Sequence, residues 1–94
     1  MIIGKVIGNV VSTIKDPKYN GYKLLVVQEM NVYGEFEKKF HISADLIGIG
    51  IDEVVMLVSG AAARASVETN NIGFDSVVTA KIETIIFEDK VIKL

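Results

Sequence analysis

The side chains able to do chemistry are few in this chain, and they are poorly placed for it. His41 is the only histidine and there is no cysteine. A general base or an activated nucleophile needs a partner within hydrogen-bond reach, and His41 stands between Phe40 and Ile42. It reads as a surface or interface histidine. Asp45, Asp52 and Glu53 are the best carboxylate cluster. A hard cation wants several oxygens gathered on one turn, and an isoleucine-rich segment separates Asp45 from the other two. Their expected roles are a solvated rim or ion pairs with a neighbour. Gly48-Ile49-Gly50 opens like a dinucleotide fingerprint, but the third glycine position holds Glu53, whose charge would repel a pyrophosphate. No glycine is followed by Lys and then Ser or Thr, as a phosphate loop requires. No catalytic, cofactor-binding or metal-binding residue is assigned.

Arg64 is the only arginine among ten basic side chains. It follows Ala61-Ala62-Ala63, which reads as part of a short helix over residues 60–66. Two readings of it stand. It interacts with the C-terminal end of that helix dipole, or its planar five-donor group bonds carbonyls or a carboxylate across a subunit boundary.

The elements that must carry these residues are mostly strands. Half of the 94 residues are hydrophobic, yet only 7% are aromatic, so the apolar content is Ile, Val, Leu and Ala. That composition suits closely packed sheets. One domain over residues 1–94 is expected, and a domain of this size cannot hide all its apolar surface internally. The surplus points to self-association. The net charge of −2 gives no electrostatic footprint for nucleic acid. No apolar run reaches the ~18 residues of a membrane span, and the N-terminus has no signal-peptide pattern. A soluble chain that is not exported is expected.

Residues 1–13 read as a first strand, with Gly4 and Gly8 permitting bends or bulges. Residues 15–21 hold the lone proline and an Asn-Gly pair and read as loop. Residues 22–30 are the strongest strand, and Asn31 to Gly34 supply a hairpin turn. Over residues 36–44 the pattern alternates, with Phe36, Phe40, Ile42 and Ala44 on one side and Glu37, Lys39, His41 and Ser43 on the other. Lys38 interrupts the apolar side, so its outer end is expected at an edge or in solvent. Residues 53–58 form another strand, residues 67–73 an exposed loop, residues 74–87 a long strand and residues 91–94 a short last one. Five or six strands with one small helix imply a compact, mainly β barrel. The glycine loop puts bare isoleucines at the surface, and a second copy of the chain is their expected cover.

Several segments together resemble the EutN/CcmL family of bacterial microcompartment vertex proteins. Gly8-Asn9-Val10-Val11-Ser12-Thr13 is similar to that family's opening strand, and Gly21-Tyr22-Lys23-Leu24-Leu25-Val26-Val27-Gln28 to its second. Ala44-Asp45-Leu46-Ile47-Gly48-Ile49-Gly50, running on to Glu53-Val54-Val55, resembles its Ala-x-Asp-x-x-Gly-Ala-Gly-x-x-Glu-x-Val motif. Ser59-Gly60-Ala61-Ala62-Ala63-Arg64 and Phe74-Asp75-Ser76-Val77-Val78 match two further pieces, and the likeness runs along nearly the whole chain.

The resemblance implies a small OB-like barrel of five or six strands with one short helix, assembling as a homopentamer. Such rings cap the vertices of shells otherwise tiled by hexameric shell proteins in the bacterial cytoplasm, with no enzymatic activity and no cofactor. Gly48, Ile49 and Gly50 become a candidate pore or five-fold-axis loop. Ile47, Ile51, Ala61, Ala62, Ala63 and Arg64 become a candidate subunit interface. Ile49 departs from the family's alanine; five copies would narrow an axial opening, or each would point into a subunit boundary. Gly73 stands where the family has proline. The end at Leu94, without a docking tail, favours a metabolosome over a carboxysome. The alternative function is an OB-type binder of single-stranded nucleic acid or oligosaccharide, using Tyr19, Tyr22 and Tyr33 near Lys15, Lys18 and Lys23.

Overall fold

The computed structural model describes residues 1–11, 23–60 and 76–94. They form seven strands: β1 (Ile2–Val10), β2 (Lys23–Met30), β3 (Phe36–Asp45), β4 (Val54–Ser59), β5 (Ser76–Lys81), β6 (Thr84–Phe87) and β7 (Lys90–Lys93). The first five close into a barrel in the order β1-β2-β3-β5-β4, with β4 returning to β1. This is the mainly β, OB-like architecture expected. All the pairings are antiparallel except the short β3–β5 seam, where Ala44 and Asp45 run parallel to Val77 and Val78. The described residues contain no helix, hence none long and apolar enough to cross a membrane.

β1 is the strand shared by both halves of the barrel, and its two glycines do different things. Gly4 is the register partner of Glu29 on β2 and of Val55 on β4. A Cβ at Gly4 would run into the Val27 side chain and lie 2.6 Å from the Gln28 carbonyl oxygen. Only glycine allows β1 and β2 to approach this closely. Among the described residues, a Cβ at Gly8 would meet only the Val26 Cβ, at 4.0 Å. Between Val6 and Gly8 the register slips, and Ile7 is the extra residue of a bulge.

Inside the barrel Val6, Leu25, Val27, Ile49, Val55, Leu57 and Val78 form one buried cluster. Each such side chain stabilises the fold by about 1.5–3 kcal/mol relative to exposure. Ala44 and Val77 form a smaller cluster with Leu24, Leu46 and Val58 at the β3–β5 seam. Ser43 is fully buried there, and its hydroxyl lies 2.6 Å from that of Ser76. A buried hydroxyl without a partner would cost on the order of 1–3 kcal/mol, so the two serines satisfy each other across the seam.

The expected long strand over residues 74–87 is two strands. Ile82 donates its amide to the Val54 carbonyl, 2.8 Å away. Val54 is where β4 begins, so beyond Ile82 the chain has no barrel partner and departs. β6 and β7 then pair only with each other. Their two-residue turn holds Glu88 at φ 51° and Asp89 at φ 60°, as a type I′ hairpin demands. The hairpin leans on the β2–β3 turn, with Phe87 edge-on to Tyr33 at 5.4 Å. That turn is tied by Asn31, whose side-chain oxygen accepts from the amides of Tyr33 and Glu35.

Candidate functional site

The glycine loop between β3 and β4 is built by one carboxylate. Asp45 Oδ1 accepts from the amides of Ile47 (3.0 Å) and Gly48 (2.9 Å), and Oδ2 accepts from Ile49 (2.7 Å). Gly48 sits at φ +80°, a conformation that strains any side chain. Gly50 is different: its φ lies outside that region, and a Cβ would only touch the Glu53 carboxylate at 3.5 Å. The loop's far end is stitched to β1, where the Asp52 amide donates to the Val6 carbonyl and the Val6 amide to that of Glu53.

Ile49 is held on three counts. Its amide is bound by Asp45, its carbonyl accepts from Lys23 Nζ at 3.2 Å, and its side chain is 4% exposed in the main core cluster. The side chain therefore plugs its own barrel. It packs there against the core residues of the same protomer. The physical reason is the Asp45 clamp, which fixes the loop so that alternate residues separate. Ile49 goes in, while Ile47 and Ile51 remain about half exposed.

Of the residues expected at a subunit interface, Ile47 and Ile51 thus present apolar surface on the two sides of the loop. Ala61, Ala62, Ala63 and Arg64 lie outside the described residues, as does nearly all of the helix expected over residues 60–66. The carboxylates divide. Asp45 is a structural clamp, a role that its sequence context (Asp45 three residues before Gly48) signals as an Asx turn. Asp52 lies 4.0 Å from Lys5 Nζ and Glu53 3.9 Å from Lys81 Nζ, at partly exposed sites where such pairs contribute little.

His41 is partly buried. Its Nε2 lies 3.0 Å from Glu29 Oε2, with each side chain about three-quarters buried. The cause is an inversion of β3. Phe36, Phe40 and Ile42 are all more than half exposed, and the alternate residues His41 and Ser43 turn inward. Among the described residues no three His, Asp or Glu side chains converge to hold a metal. Of the groups proposed for a nucleic-acid surface, Tyr33 packs against Phe87 and Lys23 is spent on the Ile49 carbonyl. Tyr19, Tyr22, Lys15 and Lys18 lie outside the described residues.

The closed five-stranded barrel agrees with what comparison with known proteins finds. The family model for "Ethanolamine utilisation protein EutN/carboxysome" matches residues 1–83. The chain belongs to the EutN/CcmL family. Carboxysome shell vertex protein CcmL of Nostoc sp. PCC 7120 is 42% identical over 93 residues, covering 98% of this chain and 92% of the relative. Its solved structure superposes with a TM-score of 0.90, covering 99% of this chain and 98% of that one. CcmL of Synechococcus elongatus is 38% identical over 90 residues, covering 96% and 91% of the two chains. Bacterial microcompartment shell vertex protein GrpN of Rhodospirillum rubrum is 34% identical, covering 90% of this chain and 96% of its own length. The solved GrpN structure, described as a pentameric shell protein, has a TM-score of 0.80 and covers 90% and 96% of the two chains. Among EutN/CcmL proteins this chain is thus similar to members from more than one kind of compartment.

Proposed function

We propose that this chain is a structural shell protein whose five copies close into a ring at the vertices of a polyhedral bacterial microcompartment, in the bacterial cytoplasm. The likeness to shell vertex proteins along the full length of the chain carries this reading. A flat layer of six-sided tiles cannot close without five-sided ones, so hexameric shell proteins are the partners at the rim of the ring. The contacts around the ring are head-to-tail, joining two different patches of each copy. We place the Gly48–Gly50 loop at the five-fold axis, with Ile47, Ile51 and the segment Ala61-Ala62-Ala63-Arg64 among the assembly surfaces. The backbone of the loop, not the Ile49 side chain, would then edge any opening. No reaction is assigned: the chain's task is closure. The expectation of a metabolosome draws no support from the relatives, since identity runs higher to the two carboxysome proteins than to GrpN.

The reading is tested by assembling hexameric shell proteins with and without this chain and imaging the products by electron microscopy. Closed polyhedra are expected when it is present, and open sheets or tubes when it is withheld. Shells that close equally well without it, or that never incorporate it, would overturn the reading.

A further inference from the structure

The outer wall of the barrel carries a feature that the glycine loop does not explain. Gly8, Val26 and Ile42 are register partners across β1, β2 and β3, so they form one row. Val26 alternates with the fully buried Leu25 and Val27, which places the row on the outside. Gln28 and Phe40 are the next pair along. Ile42 is 51% exposed and Phe40 58%. A strand with one solvated face ordinarily turns polar residues outward, and in this half of β3 Phe40 and Ile42 are outermost while His41 and Ser43 turn inward. Gly8 adds a second oddity. Its φ is outside the left-handed region, and among the described residues a Cβ there meets a single heavy atom, at 4.0 Å.

We propose that this wall is the seat on which the next copy of the same chain packs, with Gly8, Val26, Phe40 and Ile42 as its apolar centre. The inference deepens the ring reading above and rests on it. Size supports a protein occupant. With a full aromatic side chain covering ~200 Å², Phe36, Phe40 and Ile42 leave roughly 300 Å² of apolar surface open. Patches of that extent mark interaction sites on soluble proteins. A stable interface takes about 800 Å² per partner, apolar at its centre and polar at its rim, and the half-buried Gln28 supplies a polar group at this border. A second copy is the occupant because the similar GrpN is itself pentameric, and a ring of identical chains gives every protomer one such seat.

Two variants test this, Gly8→Arg and Ile42→Glu, each followed by circular dichroism and by sedimentation velocity over a range of concentrations. At Gly8 a Cβ meets no described atom nearer than 4.0 Å and Ile42 is half exposed, and both variants plant an unpaired charge in the seat. The wild type should sediment as a five-chain particle. Each variant should keep its β-sheet spectrum while the concentration at which the ring falls apart rises by about 100-fold or more, as expected for a buried unpaired charge. Folded variants that assemble at wild-type concentrations would overturn the seat and leave the ring reading intact. Variants that lose the β-sheet spectrum would also overturn it, since the wall would then belong to the fold itself. A wild type that sediments as a single chain would remove the ring reading, and the seat with it.

Discussion

Gly4→Ala should destabilise the protein severely, although it adds a single methyl group. The new Cβ would overlap the Val27 side chain and stand 2.6 Å from the Gln28 carbonyl oxygen. Val27 is fully buried, so it has nowhere to move. The Gln28 carbonyl belongs to the β1–β2 pairing, where Lys5 and Gln28 are partners, and shifting it opens the ladder. Overpacking of this kind costs typically 1–3 kcal/mol and occasionally more, and the carbonyl clash puts this site at the upper end. A domain of this size has a total stability of only about 5–15 kcal/mol. A loss of about 3 kcal/mol lowers the melting temperature by at least about 12 °C. Gly50→Ala is the control, because its Cβ would make an ordinary contact with Glu53. It should melt within about 3 °C of the wild type at the same protein concentration. Equal melting of the Gly4 and Gly50 variants would show that β1 and β2 are not packed as described.

Asp45→Ala should be the second most damaging substitution, and its effect should be concentrated in the loop. The carboxylate accepts three backbone amides, and none has another partner among the described hydrogen bonds. Hydrogen bonds to charged groups contribute about 1.5–3 kcal/mol each. Two of the three lie at exposed positions, where water takes over part of the role, so the expected loss is about 2–4 kcal/mol in all. Asp45→Asn should fall between the two, since Oδ1 still serves Ile47 and Gly48 while an amide nitrogen faces the Ile49 donor. The discriminating observable is hydrogen exchange at the Ile49 amide, which should lose protection in both variants. Persistence of that protection in Asp45→Ala would mean that the loop is held by something other than this clamp.

These two positions also mark what a sequence reader could and could not see. Strands β1, β2 and β4 are visible as runs of Val, Ile and Leu, β3 as an alternation, and the turn at Asn31 to Gly34 shows in its Asn and Gly. The glycines of β1 announce bends, but nothing in their neighbourhood says that Gly4 answers a close approach and Gly8 does not. That difference depends on which strand lies alongside. The alternation in β3 reveals two faces without saying which is inner, and the apolar one proves to face outward. The break at Ile82 carries no turn residue, because it is set by where β4 begins. In the loop, the spacing of Asp45 to Gly48 spells an Asx turn, yet reading the carboxylates as a solvated rim or as ion pairs hides it. The fate of Ile49 follows from that turn. An isoleucine between two glycines reads as exposed until the Asp45 clamp shows which way the residue is aimed.

The burial of Ile49 in its own barrel bears on what a vertex ring of this chain would look like. Its core-facing side chain belongs to the stability of each barrel, and Ile47, Ile51 and the outer wall of β3 are left as the apolar surface that association can cover. The account therefore stands or falls on whether the copies come together in fives. Native mass spectrometry of the purified chain at micromolar concentration answers that directly. A dominant species of five chains is the predicted result. A dominant single chain under the same conditions would contradict it.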